Sequence, residues 1–409
     1  MVIISAPWVV PIALPVIRDG SIVVSDGRIV DIGKRDDIVQ TYPQSSETSY
    51  PCVLMPGLTN AHMHLELSHL QNTIESPPEQ SFTNWIESLI AQRVAQPNCR
   101  EKVVAAFTAA LHDQYKSGVV LIGDIGNEYY DELYLQESDF QPRIVRMLEF
   151  LGPNKEACRL ALARMTELAD QIAVTGHAPY STGPELLQEI KQRCNRFQHV
   201  FSIHTGESLD EREFIQSGTG GFRDFLEKKS SWDGAFSFSE FGFSGTIEYF
   251  DYLGILDDST LLVHCVHVSE SELKLIKDRG VHICLCPGSN EFLGVGLAPV
   301  EQMVGLGLLP SLGSDSPASN STIDIWREMQ LLSKSHTKLE YSTVLAMATT
   351  GGAIALRQGA DFGSLLEGRK AKFIHVSSAA LMSCNDEKQL IKELVTGGKP
   401  TEITWACLL

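Results

Sequence analysis

The stretch VLMPGLTNAHMH, at residues 53–64, is a short apolar run that ends in two histidines separated by one residue, His62 and His64. Alternate residues of a β-strand point to the same face, so two histidines at this spacing can bind one metal ion. A single pair of this kind is weak support for a metal site. A metal site is better supported if further ligand residues also follow short apolar runs elsewhere in the chain.

Two further candidate ligands also follow apolar runs. His204 follows VFSI at residues 200–203, and Asp315 follows LPSLGS at residues 309–314. Three imidazoles and one carboxylate suit one divalent metal of borderline softness, such as zinc, and leave a position for water. The alternative is that the four are unrelated core or surface residues, but their shared context argues against it. The predicted metal ligands are His62, His64, His204 and Asp315.

The middle of the chain alternates strand-like apolar runs with amphipathic stretches. Beside the 53–58 segment, strands are predicted at Val119–Gly123, Arg143–Phe150, Ile172–Gly176, Val200–Ile203, Thr260–Val263, His282–Cys286 and Leu309–Leu312. Helices are predicted at Phe82–Val94, Glu101–Ser117, Lys155–Ala169, Pro184–Arg193, Ser269–Arg279 and Ile323–Ser335. This alternation favours an α/β fold with a (β/α)8 (TIM) barrel over a doubly wound sheet, because no Gly-rich phosphate turn follows the early strands. Active sites of such barrels lie at the carboxyl ends of the strands, where the candidate ligands fall.

Both ends of the chain have the character of short strands. Two β-branched runs flank the turn residues 25–27, and the segments 371–376 and 402–405 again alternate as strands do. A small β-sandwich domain built from both termini is therefore predicted. Its parts are residues 1–55 and 358–409, and the barrel is residues 56–357.

The composition is that of an ordinary globular enzyme, with 43% hydrophobic and 21% charged residues. Lys and Arg number 33 against 51 Asp and Glu, which gives a net charge of −18. No basic stretch clusters enough to follow a phosphate backbone, so nucleic acid is not an expected partner. We expect a small-molecule substrate instead.

The cysteines and the N-terminal residues indicate the expected location of the protein in the cell. The nine cysteines are odd in number and contain no CxxC pair, which is typical of reduced thiols in the cytoplasm. The apolar start lacks a basic region and is broken by Pro7, Pro11 and Pro15. Neither a signal peptide nor a membrane span is expected, and a cytoplasmic location is predicted.

Candidate catalytic groups follow the ligands closely. Glu207, three residues after His204, could reach a substrate at the same centre and transfer a proton. The alternative is a capping role at the start of a helix near Ser208. Asp315 could take a proton from water as well as bind the metal.

The next strand ends in VHCVH at residues 263–267. At this spacing His264 and His267 cannot share one strand face, so at most one of them points inward. We predict that His264 is the active-site residue, beside the water, and that His267 is a structural or rim residue.

Three residues are candidates for binding the substrate. His177 ends a predicted strand, and a structural role is its alternative; Glu149 is a candidate by its position near the end of the third strand. Trp85 could stack on a heterocycle, although an indole at helical spacing more often belongs to the core. The segment 176–181 contains no lysine to carry a bridging carboxylate, so one metal is expected rather than two.

Several motifs, in order along the chain, resemble the amidohydrolase superfamily in its deaminase and chlorohydrolase branch. They are PGLTNAHMHLELS at 56–68, HTGE at 204–207, VHCVH at 263–267 and GSDSPASN at 313–320, with DGRI at 26–29 near the start. The resemblance implies that the four ligands bind a single zinc or iron, and that Glu207 and His264 match the family's proton-shuttling Glu and active-site His. It further implies attack of metal-bound hydroxide on an aromatic carbon bearing an amino group, loss of ammonia, and possible homo-oligomers.

Within this branch, HLELS at 64–68, the Phe82/Trp85 segment and CPGSNEFLG at 286–294 are similar to aminodeoxyfutalosine and adenosine-type deaminases. The resemblance implies 6-aminodeoxyfutalosine as the preferred substrate and a place in menaquinone biosynthesis. Alternatives are S-adenosylhomocysteine, methylthioadenosine, adenosine, guanine or a pterin, a triazine-type chlorohydrolase, and a non-catalytic relative. Many relatives have Arg where Gly288 stands, and Pro317 is a second departure that should stiffen the metal loop.

Overall fold

The computed structural model describes residues 1–73, 81–95, 100–127, 141–234, 238 and 241–406. Numbered in chain order, its strands are β1 (Val2–Val9), β2 (Ile17–Ser25), β3 (Arg28–Lys34), β4 (Ser46–Ser49), β5 (Val53–Pro56), β6 (Leu58–Met63), β7 (Val119–Gly126), β8 (Arg143–Phe150), β9 (Val174–Gly176), β10 (Phe201–Thr205), β11 (Thr260–His264), β12 (His282–Leu285), β13 (Ser311–Leu312), β14 (Phe373–Ser377) and β15 (Glu402–Trp405).

The α-helices span Arg35–Thr41, Phe82–Ala95, Arg100–Lys116, Lys155–Thr166, Pro184–Phe197, Leu209–Ser217, Gly221–Lys228, Thr246–Leu253, Glu270–Asp278, Pro287–Leu293, Val300–Gly305, Ile325–Ser335, Tyr341–Ala346, Gly352–Ala355, Ala379–Met382 and Glu387–Thr396. A 3₁₀-helix covers Leu65–Leu70 and a π-helical turn covers Met347–Gly351. Each of the six predicted helices is present with shifted ends. Among the helices of the described ranges, none has both the length and the apolar composition needed to cross a bilayer.

The central strands form two parallel sheets of four strands each, in the orders β6-β7-β8-β9 and β10-β11-β12-β13. Helices follow most of these strands, and every residue of β7 is buried, as expected for strands covered on both faces. The predicted α/β class with parallel strands is confirmed. A main-chain hydrogen bond from His204 N to His177 O, 3.0 Å long, lies between the two sheets. An isolated parallel bridge between Met63 and Asp315 brings the first and last strands together.

Strands from both ends of the chain share one further sheet, in the order β15-β14-β5-β1-β2-β3, with β4 paired to β1. β14 pairs antiparallel with β5, and β5 pairs parallel with β1, so the late strands join the early ones. In the described residues this unit is a single seven-stranded sheet, whereas a sandwich was the expectation.

The segment 53–58, predicted as the first barrel strand, divides between the two parts of the fold. Val53–Pro56 belongs to the seven-stranded sheet, and the first parallel strand is Leu58–Met63. Pro56 has no N–H to continue a ladder, and Gly57 allows close approach because an added Cβ would lie 2.7 Å from Cβ of Val120. His62 consequently lies inside a strand and not beyond its end.

The described cysteines are free thiols, and six of the seven are buried, which agrees with the expectation of reduced thiols. Cys284 and Cys286 lie in the packed core among apolar side chains. Cys99 and Cys407 fall outside the described residues.

Gly123 makes the contact between β6 and β7 possible. A Cβ at this position would overlap the carbonyl oxygen of Ala61 in β6 and lie 2.8 Å from Cδ2 of Leu356. We expect Gly123→Ala to lower the free energy of unfolding by about 1–3 kcal/mol, because this interior cannot expand without moving main chain. The measurement is the unfolding midpoint in denaturant, with the slope checked for constancy.

The matched control is Gly305→Ala, at the exposed end of the helix Val300–Gly305, where an added Cβ would have no described atom within 4 Å other than those of its chain neighbours and its own helix backbone. This substitution should leave stability unchanged or raise it by up to about 1 kcal/mol, because alanine loses less conformational entropy in a helix than glycine does. Equal midpoints for both variants would contradict the tight approach at Gly123.

Candidate metal and active site

The four predicted ligands converge. The ligand atoms of His62, His64, His204 and Asp315 all lie within 4.8 Å of one another, and all four residues are buried. Nε2 of His62 and of His64 lie 3.5 Å and 3.6 Å from Oδ1 of Asp315. The Nε2 atoms of His64 and His204 are 3.4 Å apart. Such a set of donors around one point is suited to holding a single divalent ion.

The seam between the first and last parallel strands places two of these ligands. The carbonyl oxygen of His62, in β6, accepts hydrogen bonds from the main-chain N–H groups of Ser314 (3.1 Å) and Asp315 (3.0 Å). Asp315 has a φ of +57°, a left-handed conformation that is uncommon for a non-glycine residue. Strained conformations of this kind concentrate at functional sites, where the surrounding structure maintains them.

The imidazoles of the ligand cluster present ring nitrogens that can bind a metal ion. Nδ1 of His204 donates to the carbonyl oxygen of His177 at 2.7 Å, so its Nε2 carries the lone pair that faces the cluster. Burial lowers the pKa of His64 to about 3 and that of His204 well below its usual value. Neither ring nitrogen of His62 has a hydrogen-bond partner among the described residues. Buried and unpartnered ring nitrogens fit a metal-binding role.

Asp315 is held as a carboxylate. Its Oδ2 accepts hydrogen bonds from the hydroxyls of Ser289 (2.6 Å) and Ser319 (2.9 Å). Burial alone would raise its pKa, but the neighbouring His62 and the charge that the surrounding histidines can carry bring the pKa well below its usual range. One oxygen is therefore oriented by hydroxyls while the other faces the histidines.

His264 lies at the same cluster. Its Nδ1 donates to Oδ1 of Asn290 at 3.0 Å, while its Nε2 lies 3.5 Å from Oε1 of Glu207 and 4.0 Å from Oδ2 of Asp315. Burial lowers its pKa to about 4, so the ring is neutral and Nε2 can accept a proton. His267 takes a different direction, since its Nε2 donates to the carbonyl oxygen of Val295.

Glu207 is a buried carboxyl group. Burial, and then the charges of Asp315 and Glu211, raise its pKa well above the usual value, which favours the protonated form. The capping role at the following helix belongs to its neighbour Ser208, whose hydroxyl accepts a hydrogen bond from the N–H of Glu211. Glu207 is thereby left to face the cluster.

Glu211 was missed by sequence reasoning. Its carboxylate accepts hydrogen bonds from the N–H groups of Gly206 (2.6 Å) and Glu207 (3.3 Å), and so fixes the turn that carries Glu207. The signal for it was the local pattern of Ser208 followed three residues later by Glu211, which is typical of a helix start.

Of the substrate-binding candidates, Glu149 and His177 lie beside the metal ligands. Together with His204 they form a second group of ligand atoms within 4.8 Å of one another. Oε2 of Glu149 accepts from Asn127 at 3.1 Å, its Oε1 has no hydrogen-bond partner among the described residues, and burial raises its pKa to about 7. Trp85 is buried in the main core, where its ring packs beside that of Phe82 at 6.0 Å. The structure thus brings Glu149 and His177 to the cluster and places Trp85 among core residues.

Comparison with known proteins gives consistent matches. A family model described as "Amidohydrolase family" matches residues 53–401. A 5-methylthioadenosine/S-adenosylhomocysteine deaminase of Pelotomaculum thermopropionicum is 27% identical, over 95% of this chain and 87% of that protein. An adenosine deaminase of Helicobacter pylori is 30% identical, over 82% of each chain. The crystal structure of Helicobacter pylori aminofutalosine deaminase in complex with methylthio-coformycin superimposes with a TM-score of 0.83 at 26% identity, and covers 99% of both chains.

The geometry predicts that the protein binds about one divalent ion per chain, and that His204→Ala lowers the bound fraction because one of four converging ligands is lost. Metal content is measured by elemental mass spectrometry after gel filtration, and circular dichroism verifies the fold. His267→Ala, the histidine that donates to Val295, is the control and should keep the metal. Metal retained in full by His204→Ala would contradict the assignment.

Proposed function

This chain belongs to the amidohydrolase family, and we propose that it is a metal-dependent aminohydrolase that replaces the amino group of an adenine nucleoside by oxygen. The predicted enzyme class, a hydrolase of carbon–nitrogen bonds other than peptide bonds, is confirmed by the family match and by the relatives named deaminases. One observation carries the proposal. Two carboxyl groups, Glu207 and Asp315, face the same Nε2 atom of His264 from 3.5 Å and 4.0 Å.

The residues present fit one divalent ion, for which we propose zinc, with iron as the alternative. The unpartnered nitrogens of His62 and the three-histidine, one-aspartate donor set both support this. His62, His64, His204 and Asp315 would hold it. Bound there, the ion would act as a Lewis acid that lowers the pKa of water toward neutrality.

The protons can be followed through the side chains. Glu207, whose pKa is raised by burial, donates a proton to the ring nitrogen beside the carbon under attack. Neutral His264 and the carboxylate of Asp315 accept the proton that water loses as its oxygen bonds to that carbon. The same groups then return a proton to the amino nitrogen, the carbon–nitrogen bond breaks, and ammonia leaves while Glu207 recovers its proton from the ring.

The proposed substrate is 6-aminodeoxyfutalosine. It is supported by the similarity to an aminofutalosine deaminase over 99% of both chains. Glu149 and His177, which lie beside the ligand His204, are proposed to bind the sugar hydroxyls. The alternatives within the class are S-adenosylhomocysteine, methylthioadenosine, adenosine, guanine and a pterin.

The finer architecture belongs to the same proposal. We infer that the eight parallel strands close into a (β/α)8 barrel, which the hydrogen bond between His204 and His177 and the bridge between Met63 and Asp315 support. The proposed barrel domain is residues 56–357.

The substrate is tested by ammonia release from zinc-loaded protein. The panel is 6-aminodeoxyfutalosine, S-adenosylhomocysteine, methylthioadenosine, adenosine, guanine, isoxanthopterin and atrazine. We expect one nucleoside to dominate in kcat/KM, with 6-aminodeoxyfutalosine first. Turnover of a free base alone would contradict the nucleoside class, and a metal-loaded protein that converts none of the compounds would remove the proposed activity.

Glu207→Gln tests the leaving group. This variant cannot donate the carboxyl proton, so kcat for deamination should fall about 10²–10⁴-fold while the metal remains bound. Glu270→Gln, on an exposed helix residue paired with Lys274, is the control and should leave kcat unchanged. If the variant released chloride from a triazine at the wild-type rate, a chlorohydrolase would be supported instead, because chloride leaves without a proton.

A further inference from the structure

One short helix, Pro287–Leu293, carries the side chains that orient both proton-transfer groups. The hydroxyl of Ser289 donates to Oδ2 of Asp315 at 2.6 Å. The amide oxygen of the next residue, Asn290, accepts from Nδ1 of His264 at 3.0 Å. A displacement of this helix would therefore move the acceptor oxygen of Asp315 and rotate the ring of His264 together.

The start of this helix is held by a buried carboxylate from elsewhere in the chain. Oε2 of Glu328, in the helix Ile325–Ser335, accepts a hydrogen bond from the N–H of Gly288 at 2.6 Å. Glu328 is fully buried, and it contacts neither His264 nor the proposed metal ligands through any described hydrogen bond. Burial raises its pKa to about 7.

The second oxygen of Glu328 reaches the loop that carries Asp315. Its Oε1 accepts from Nδ2 of Asn320 at 2.8 Å, and the same Nδ2 donates to the carbonyl oxygen of Ser314 at 2.8 Å. One carboxylate thus joins the helix that bears Ser289 and Asn290 to the residue that precedes Asp315.

The glycine at position 288 is matched to this contact. A Cβ added there would lie 2.5 Å from Oε1 of Glu328 and 2.6 Å from Nδ2 of Asn320. Glycine at this position therefore permits the close approach between the helix and Glu328.

We propose that Glu328 is a positioning residue, which holds Asp315 and His264 in their mutual geometry by binding both segments that orient them. Only the expected change in kcat rests on the proposed function, because it requires a substrate that the protein converts. The structural consequence, the orientation of Asp315, can be measured without any substrate.

A glutamine at position 328 cannot replace the carboxylate. Both oxygens of Glu328 accept from N–H donors, of Gly288 and of Asn320. The amide of Glu328→Gln has one oxygen and one NH₂ group, so one donor would face another donor inside the protein. The variant therefore loosens one of the two segments while the volume stays the same.

The first readout needs no substrate. Zinc release to a chelator is expected to be about ten-fold faster for Glu328→Gln than for wild type, because groups that orient a ligand change metal affinity 10–100-fold. Glu272→Gln is the matched control: Glu272 is also buried and accepts from the N–H groups of Ser269 and Ile247. It should release zinc at the wild-type rate.

The second readout is kinetic. On the substrate that wild type converts, Glu328→Gln should lower kcat about 10–100-fold with KM within about two-fold. Ser289→Ala should lower kcat as well, and the double variant should lose less than the product of the two effects, because both act through Asp315. Glu272→Gln should leave kcat unchanged.

The outcomes separate the two proposals. If wild type converts no nucleoside but zinc release differs between Glu328→Gln and Glu272→Gln, the proposed function fails and the positioning role stands. Three results would each overturn the positioning role. The first is zinc release and kcat at wild-type values in Glu328→Gln, and the second is an equal loss in Glu328→Gln and Glu272→Gln. The third is a loss in the double variant equal to the product of the two single losses. If Glu328→Gln does not fold, Glu328→Asp keeps the charge and should change both readouts in the same direction by less.

Discussion

The carbonyl oxygen of His62 accepts two main-chain hydrogen bonds, from Ser314 and Asp315, and the site depends on this seam. A parallel sheet needs a separate connection for each strand, so its first and last strands are far apart in the sequence. Here they meet where one supplies a histidine pair and the other supplies a carboxylate. The left-handed conformation of Asp315 follows from the same meeting, since its N–H points back to β6 while its side chain faces the histidines.

Neighbouring charges shift the pKa values of two buried carboxyl groups in opposite directions. Burial, and then the charges of Asp315 and Glu211, raise the pKa of Glu207 well above its usual value. Burial would raise the pKa of Asp315 as well, but the neighbouring His62, His264 and His64 lower it well below its usual value. Two carboxyl groups whose environments push their pKa values apart can serve as acid and base in one reaction. The two roles thus follow from different neighbouring charges, with the same kind of functional group in both.

The sequence predicted the ligands because their signals are local. A histidine pair at strand spacing, and a His or Asp after an apolar run, can be recognised without knowledge of the contacts. The division of 53–58 between two sheets could not be recognised in this way, since it depends on the approach of Val120 to Gly57. Glu328 was also hidden, because its role arises from contacts with Gly288 and Asn320 and not from its own neighbours in the helix. Trp85 shows the opposite case, in which an aromatic residue with a possible functional role lies within the core.

The seven-stranded sheet has a consequence for synthesis of the chain. β5 gains its neighbour β1 early, but its other edge pairs with β14, where Met55 lies opposite Ile374. At about 5–20 residues per second, the ribosome makes β14 on the order of tens of seconds after β5. During that time β5 is an open edge of apolar residues, which is a template for unwanted pairing with other chains. The parallel strands that are made in between can pair with their neighbours as they emerge, whereas this edge of β5 stays open for most of the synthesis.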